Sequence, residues 1–296
     1  MPSKEFETIL QLLKSRPIEE DLPFDQLRAN FETQTAIFKV AEDVRVEPVT
    51  AGKRPAEWII PPGSQEDRNI LYLHGGGYVI GSIKTHREMV SRIARESKAR
   101  ALLVDYRLAP EHPFPAAVED AGSAYLWLID QGVDPRRTII AGDSAGGGLT
   151  AATLVFLRDR GAPLPAAAVC LSPWADLEGS GNSMITRANI DPMVNRQGLV
   201  RMAGAYLGGK NPRTPLASPI YADLKGLPPL LIQVGTAEVL FDDAVRLAER
   251  ARADGVEVVL EPWEDMVHVW HFFASMLPEG QEAIERIAEF IQKKTG

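Results

Sequence analysis

Gly142-Asp143-Ser144-Ala145-Gly146 stands between a strand-like apolar run, Thr138-Ile139-Ile140-Ala141, and a small-residue segment from Gly147 that opens a helix. Glycines flanking a serine between strand and helix allow a turn too tight for side chains on either side. The serine is then pressed into a strained conformation with its hydroxyl exposed. Such five-residue patterns also arise by chance in loops, so the meaning of Ser144 rests on what else the chain brings to it. The strand-turn-helix setting already points to layered α/β architecture.

Bulk properties leave room for an enzyme and narrow its partners. A chain of 296 residues can form one large α/β domain or two small ones, burying about three quarters of its unfolded surface. Its 45% hydrophobic and 24% charged residues are ordinary for a globular protein. The net charge of −8 is spread along the chain, which argues against nucleic acid or an anionic membrane as the main partner. The single cysteine, Cys170, lies in an apolar run, so no intrachain disulfide forms and a buried, inert thiol is expected. The charged start from Met1 to Glu7 lacks the apolar core of a signal peptide, and no apolar run reaches about 18 residues. The expectation is a cytoplasmic protein without a membrane span.

Two helical patterns occupy residues 1–40: Phe6, Ile9, Leu10 and Leu13 on one face, then Leu27, Phe31 and Phe38 on another. Lying ahead of the first strand, they cannot be crossovers and are predicted to form part of a lid. Val44–Val49 and Ala56–Ile60 read as edge strands, whereas the continuous apolar run Ile70–Leu73 reads as a central one. Further strands are predicted at 101–105, 167–171, 230–235 and 256–260, with a helix over 116–129. Residues 179–216 carry no strand-like run and read as an insertion. Glycines 146–148 weaken a helix, and close approach of neighbouring backbone at the turn is the expected compensation.

After the Ile70–Leu73 strand comes His74-Gly75-Gly76-Gly77, whose uncovered amides suit an anion. With the serine turn downstream, the chain resembles the hormone-sensitive-lipase-like branch of the α/β-hydrolase superfamily. The resemblance extends to Tyr106-Arg107-Leu108-Ala109-Pro110-Glu111-His112-Pro113 and covers most of the chain from His74 to His268. It implies an α/β-hydrolase fold, a mostly parallel central sheet flanked by helices under a helical cap. Residues 1–40 and 179–216 would build the cap, and 41–178 with 217–296 the catalytic domain.

The resemblance also implies the site. Ser144 is the nucleophile, His268 the base, and the oxyanion is held by Ala145 with two amides among Gly75, Gly76 and Gly77, the pair left open. His74 positions that loop rather than reacting. The family usually reads Asp-Pro-Leu-x-Asp where this chain has Glu238-Val239-Leu240-Phe241-Asp242, which puts Glu238 at the acid position. Asp242 and Asp243 then suit capping of their own helix, and His271 holds a weaker claim than His268. His86 reads as a packing or capping residue, and Arg107, Glu111 and His112 as structural. Of Met184, Ile185, Met193, Val194, Leu199, Met202, Tyr206 and Leu207, sequence cannot separate core from acyl pocket.

The activity so implied is hydrolysis of short-chain carboxylic esters, a small-molecule reaction needing no metal or organic cofactor. The same scaffold also serves non-catalytic receptors, and the same triad serves amidases, lactonases and acyltransferases. A triglyceride lipase fits less well, because the cap shows no extended exposed apolar stretch. The last strand is expected to be an open edge on which a homodimer can form.

Overall fold

The computed structural model describes residues 2–15 and 21–296. Met1, and residues 16–20 of the 1–40 segment read as part of a cap, lie outside the described residues. The chain runs α1 (Lys4–Lys14), α2 (Phe24–Thr35), β1 (Arg45–Ala51), β2 (Arg54–Ile60), β3 (Asn69–Leu73), α3 (Ile83–Glu96), β4 (Arg100–Val104) and α4 (Ala116–Asp130). It continues with β5 (Thr138–Asp143), α5 (Ala145–Asp159), β6 (Ala167–Leu171), α6 (Ser183–Thr186), α7 (Arg196–Leu207), β7 (Leu230–Gly235), α8 (Phe241–Ala253), β8 (Val258–Trp263) and α9 (Pro278–Thr295).

The strands form one sheet in the order β1-β2-β4-β3-β5-β6-β7-β8. β1 pairs with β2, and β2 with β4, antiparallel; the remaining pairings are parallel. β2 therefore lies inside the sheet, where Ala56–Ile60 had read as an edge strand. Successive strands leave β3 on opposite sides, β4 on one and β5 on the other. That reversal opens a crevice beyond the carboxyl ends of β3 and β5, where open α/β sheets hold their ligands.

Two apolar layers enclose the sheet, because side chains alternate along each strand. Leu71, Leu73, Leu102 and Ile140 join the layer containing α4, α5 and α8. Ile70, Tyr72, Leu103 and Ile139 join the other, with α3 and α9. Being covered on both faces, β3, β5, β6 and β7 are buried at every residue, which explains their unbroken apolar runs. Cys170, on β6, is buried, and burial pushes its thiol up to about 12.

β8 starts and ends later than sequence suggested, running through Pro262 to Trp263. It pairs only with β7, and an edge strand tolerates the missing N–H of a proline that reads as a strand end. Among the described residues no strand pairs with its outer side. In the N-terminal segment, α1 buries Phe6 and Ile9 against Val267, Trp270 and Leu277. Among the described residues no helix is long and apolar enough to cross a membrane.

Candidate active site

Ser144 joins β5 to α5 with φ 54° and ψ −122°, a region L-residues avoid unless surroundings enforce it. The surroundings are its own backbone bonds. Its N–H donates to Leu171 O at 2.8 Å, and its carbonyl accepts from Trp174 N at 2.8 Å and Gly148 N at 3.1 Å. A Cβ on Gly146 would collide with the carbonyl oxygens of Leu73 and His74, so glycine here lets α5 rest directly on the end of β3. The weak helix former is compensated by close packing, as expected.

Ser144 and His268 line one cavity of about 310 Å³, together with Gly76 and Gly77. The 1–40 and 179–216 segments supply much of its apolar wall, including Ile9, Leu13, Phe31, Met193, Leu199 and Met202. Of the apolar residues singled out within 179–216, Met193, Val194, Leu199 and Met202 thus line the cavity, Met184, Tyr206 and Leu207 belong to the core, and Ile185 is exposed. Three exposed side chains, Leu12, Ile37 and Met276, also border the cavity. They come from three separated segments, so no single stretch of sequence reveals this apolar rim.

Glu238, fully buried just past β7, accepts from His268 Nδ1 at 2.7 Å through Oε2. Its Oε1 accepts from Ser172 Oγ at 2.7 Å and Gly235 N at 2.6 Å. Both oxygens are therefore fixed, and with Nδ1 donating, Nε2 of His268 carries the lone pair. Burial disfavours the imidazolium, but the charge and hydrogen bond of Glu238, with Asp191 and Asp143 further off, hold the His268 pKa above its ordinary value of 6.5.

The glycine loop is built from both sides. His74 Nδ1 lies 2.8 Å from Gly75 O, and its ring stacks on Tyr106 at 4.2 Å between centroids. Tyr106 Oη donates to His74 O at 2.7 Å. Asp143 Oδ1 accepts from Gly75 N at 3.1 Å and Tyr72 Oη at 3.0 Å. The Gly75 amide is thus engaged, while the Gly76 and Gly77 amides, at the cavity wall, meet no acceptor among the described residues. Gly77 has φ +60°, and a Cβ there would strike Met202 Sδ.

His86 and Asp143 have more to do here than sequence indicated. Thr85 closes the capping box with Ser82, whereas His86 Nε2 sits 3.2 Å from Gly75 N and 3.3 Å from Asp143 Oδ2. The available signal was Asp143 itself, a carboxylate ending an apolar strand that had to find partners on burial.

Asp242 and Asp243 do not cap their own helix. The N-cap residue of α8, Leu240, makes no side-chain cap, and the Asp242 amide donates to Ser183 Oγ at 3.1 Å; the Asp242 carboxylate accepts from Ser183 N at 2.9 Å, and that of Asp243 from Ala175 N at 2.9 Å and Asp176 N at 2.8 Å. These amides belong to Ser183 and to the loop after β6, and such contacts are invisible in sequence. His271 is buried, with Nε2 donating to Gln233 Oε1 at 2.7 Å, away from Glu238. Arg107 pairs with Asp120 and Glu111 with Arg28, both as structural ties.

Burial lowers the pKa values of His74 and His271 to about 3. Between pH 6.5 and 3 the unfolded chain binds protons that these folded rings refuse, so stability falls as pH falls through that window. His268 and the buried Asp243 carboxylate, both raised, act in the opposite sense, so the two lowered rings are read from the difference between the parent and a variant lacking them. Each lowered ring contributes a loss of about 2 kcal/mol between pH 7.5 and 5, read from urea midpoints of parent and variant at the two pH values. In the double variant His74→Gln/His271→Gln this pH dependence will shrink.

A fold of this topology, with a serine elbow opposite a buried acid–histidine pair, defines an α/β hydrolase, and the family profile described as the alpha/beta hydrolase fold matches residues 70–272. The chain belongs to that family. It is 52% identical over 248 residues to an acetyl-hydrolase of Streptomyces hygroscopicus, covering 84% of this chain and 83% of that protein. It is 32% identical over 286 residues to an esterase of Acinetobacter venetianus, covering 96% and 94%. A crystal structure of an esterase from the bacterial hormone-sensitive lipase family superposes with TM-score 0.97 at 52% identity, covering the whole of both chains. Within the α/β hydrolases this chain is one of the hormone-sensitive-lipase-like carboxylesterases.

Proposed function

We propose that this chain hydrolyses short-chain carboxylic esters through an acyl-enzyme on Ser144. The observation carrying the reading is a single apolar cavity bordered by Ser144 and His268, with Glu238 bonded to the far nitrogen of that histidine at 2.7 Å.

His268 Nε2 takes the proton from Ser144 Oγ as the oxygen attacks the ester carbonyl, and Glu238 orients the ring and stabilises the imidazolium. The oxyanion meets the amides of Gly76, Gly77 and Ala145, the last at the N-terminus of α5, where the helix dipole adds partial positive charge. Gly75 is left out because its N–H is held by Asp143. The imidazolium then protonates the departing alkoxide, and the neutral ring activates water to release the acid. A non-catalytic receptor would have no use for Ser144 held at φ 54° beside a paired histidine.

The cavity, near the small end of ligand sites, suits a short apolar acyl chain. On p-nitrophenyl acetate, butyrate, octanoate and palmitate, kcat/KM will peak at acetate or butyrate and fall steeply by palmitate. A rate rising with chain length, or jumping when the ester forms an emulsion, would instead assign the apolar rim to a lipase. Turnover of anilides or lactones at rates matching the esters would replace the ester preference.

A further inference from the structure

We propose that Asp191 is a positioning residue that ties the insertion's wall of the cavity to the Glu238–His268 pair, with its carboxylate as the link. The proposal rests on the catalytic reading above and goes beyond it, since Asp191 bonds to neither Ser144 nor His268 and lies outside the motifs that carry the family resemblance.

Asp191 stands between α6 and α7 and is 7% exposed. Its Oδ1 accepts from Met193 N at 2.9 Å and Val194 N at 3.0 Å, forming a local turn. Such a turn uses only one oxygen. The other, Oδ2, reaches across to the catalytic domain and accepts from Val239 N at 2.9 Å, the residue after Glu238. Met193 and Val194 line the cavity alongside Ser144 and His268. One carboxylate therefore holds the substrate wall on one side and the acid-bearing loop on the other.

Charge gives the link a second consequence. The titratable groups facing His268 are Glu238, Asp191, Asp143 and the neutral ring of His271. Burial opposes ionisation of Asp191, whereas His268 favours it, so the ionised carboxylate is best stabilised when His268 carries its proton. That is the state formed as Ser144 attacks. Removing the charge while keeping the shape weakens the imidazolium and leaves one amide set facing an NH₂ group.

The test is Asp191→Asn in the full chain, with kcat and KM for p-nitrophenyl butyrate measured across pH beside the parent. The expected result is a loss of about 10- to 100-fold in kcat, little change in KM, and an acid limb of kcat/KM displaced to lower pH. Asp191→Glu, which restores the charge, is expected to keep the parent's acid limb while still losing kcat. An unchanged kcat, or a lower kcat with an unmoved acid limb, would overturn the proposal. So would failure of both variants to fold, since Asp191 would then be a purely structural tie. His268→Ala run in parallel separates the two levels: if it stays active, the catalytic reading falls and the proposal with it. An inactive His268→Ala beside an unaffected Asp191→Asn overturns the role of Asp191 alone.

Discussion

Changing Ser144 to alanine will lower kcat on p-nitrophenyl butyrate by about 10⁶-fold while the protein remains folded. The turn does not depend on the hydroxyl, because the elbow is held by backbone bonds to Leu171, Trp174 and Gly148. His268→Ala will lose a comparable factor, and the double variant no more than either alone, since nucleophile and base act as one unit. The acid is worth less, about 10⁴-fold, and alanine is a poor probe of it. Glu238→Ala would leave the Ser172 hydroxyl and the Gly235 amide without their buried acceptor, adding instability to the catalytic loss. Glu238→Gln keeps the shape and removes the charge, so its loss reports on imidazolium support. Steady-state kinetics, with circular dichroism as the check on folding, decide the matter. Residual activity within tenfold of the parent in Ser144→Ala would mean another nucleophile, and the mechanism would have to be abandoned.

Much of this arrangement was legible because it is written in local pattern. Buried parallel strands announce themselves as unbroken apolar runs, and β3, β5, β6 and β7 were each visible that way. Edge strands were less so: β2 looked like an edge, and β8 was cut short at Leu260, because composition is read locally while pairing is not. The same division runs through the site. Ser144 and the glycine loop carry signatures of tight turns, and the resemblance to a known family supplied Glu238 and His268. What sequence concealed were contacts between distant segments. Asp143 reaches back to Gly75 from another strand, His86 approaches both from α3, and Asp191 spans from the insertion to Val239. A carboxylate's burial is predictable from its apolar neighbours, but its partner is set by topology. The proposed choice of Gly76 and Gly77 over Gly75 belongs to the same class, since it rests on the amide that Asp143 already occupies.

The second large effect is expected at Gly146, where a single methyl group should damage both fold and chemistry. A Cβ there would fall on the carbonyl oxygens of Leu73 and His74, backbone atoms of β3 and of the glycine loop that cannot rotate aside. Gly146→Ala must therefore push α5 away from the sheet. Overpacking of this kind typically costs about 1–3 kcal/mol, and collision with backbone puts this site at the upper end or beyond. The displacement also separates Ser144 from the Gly76 and Gly77 amides, and a misplacement of about 1 Å costs on the order of 10²-fold in rate. Gly204→Ala is the matched comparison: it lies inside α7, and a Cβ there meets nothing within 4 Å. Free of collision, it should gain about 0.5–1 kcal/mol from helix propensity and a less flexible unfolded chain. Thermal midpoints and kcat for the two variants should move in opposite directions for stability, and only Gly146→Ala should lose activity. If Gly146→Ala kept the parent's midpoint and rate, α5 and β3 would have to pack less closely than described, and the tight elbow could not be what holds Ser144 against the oxyanion loop.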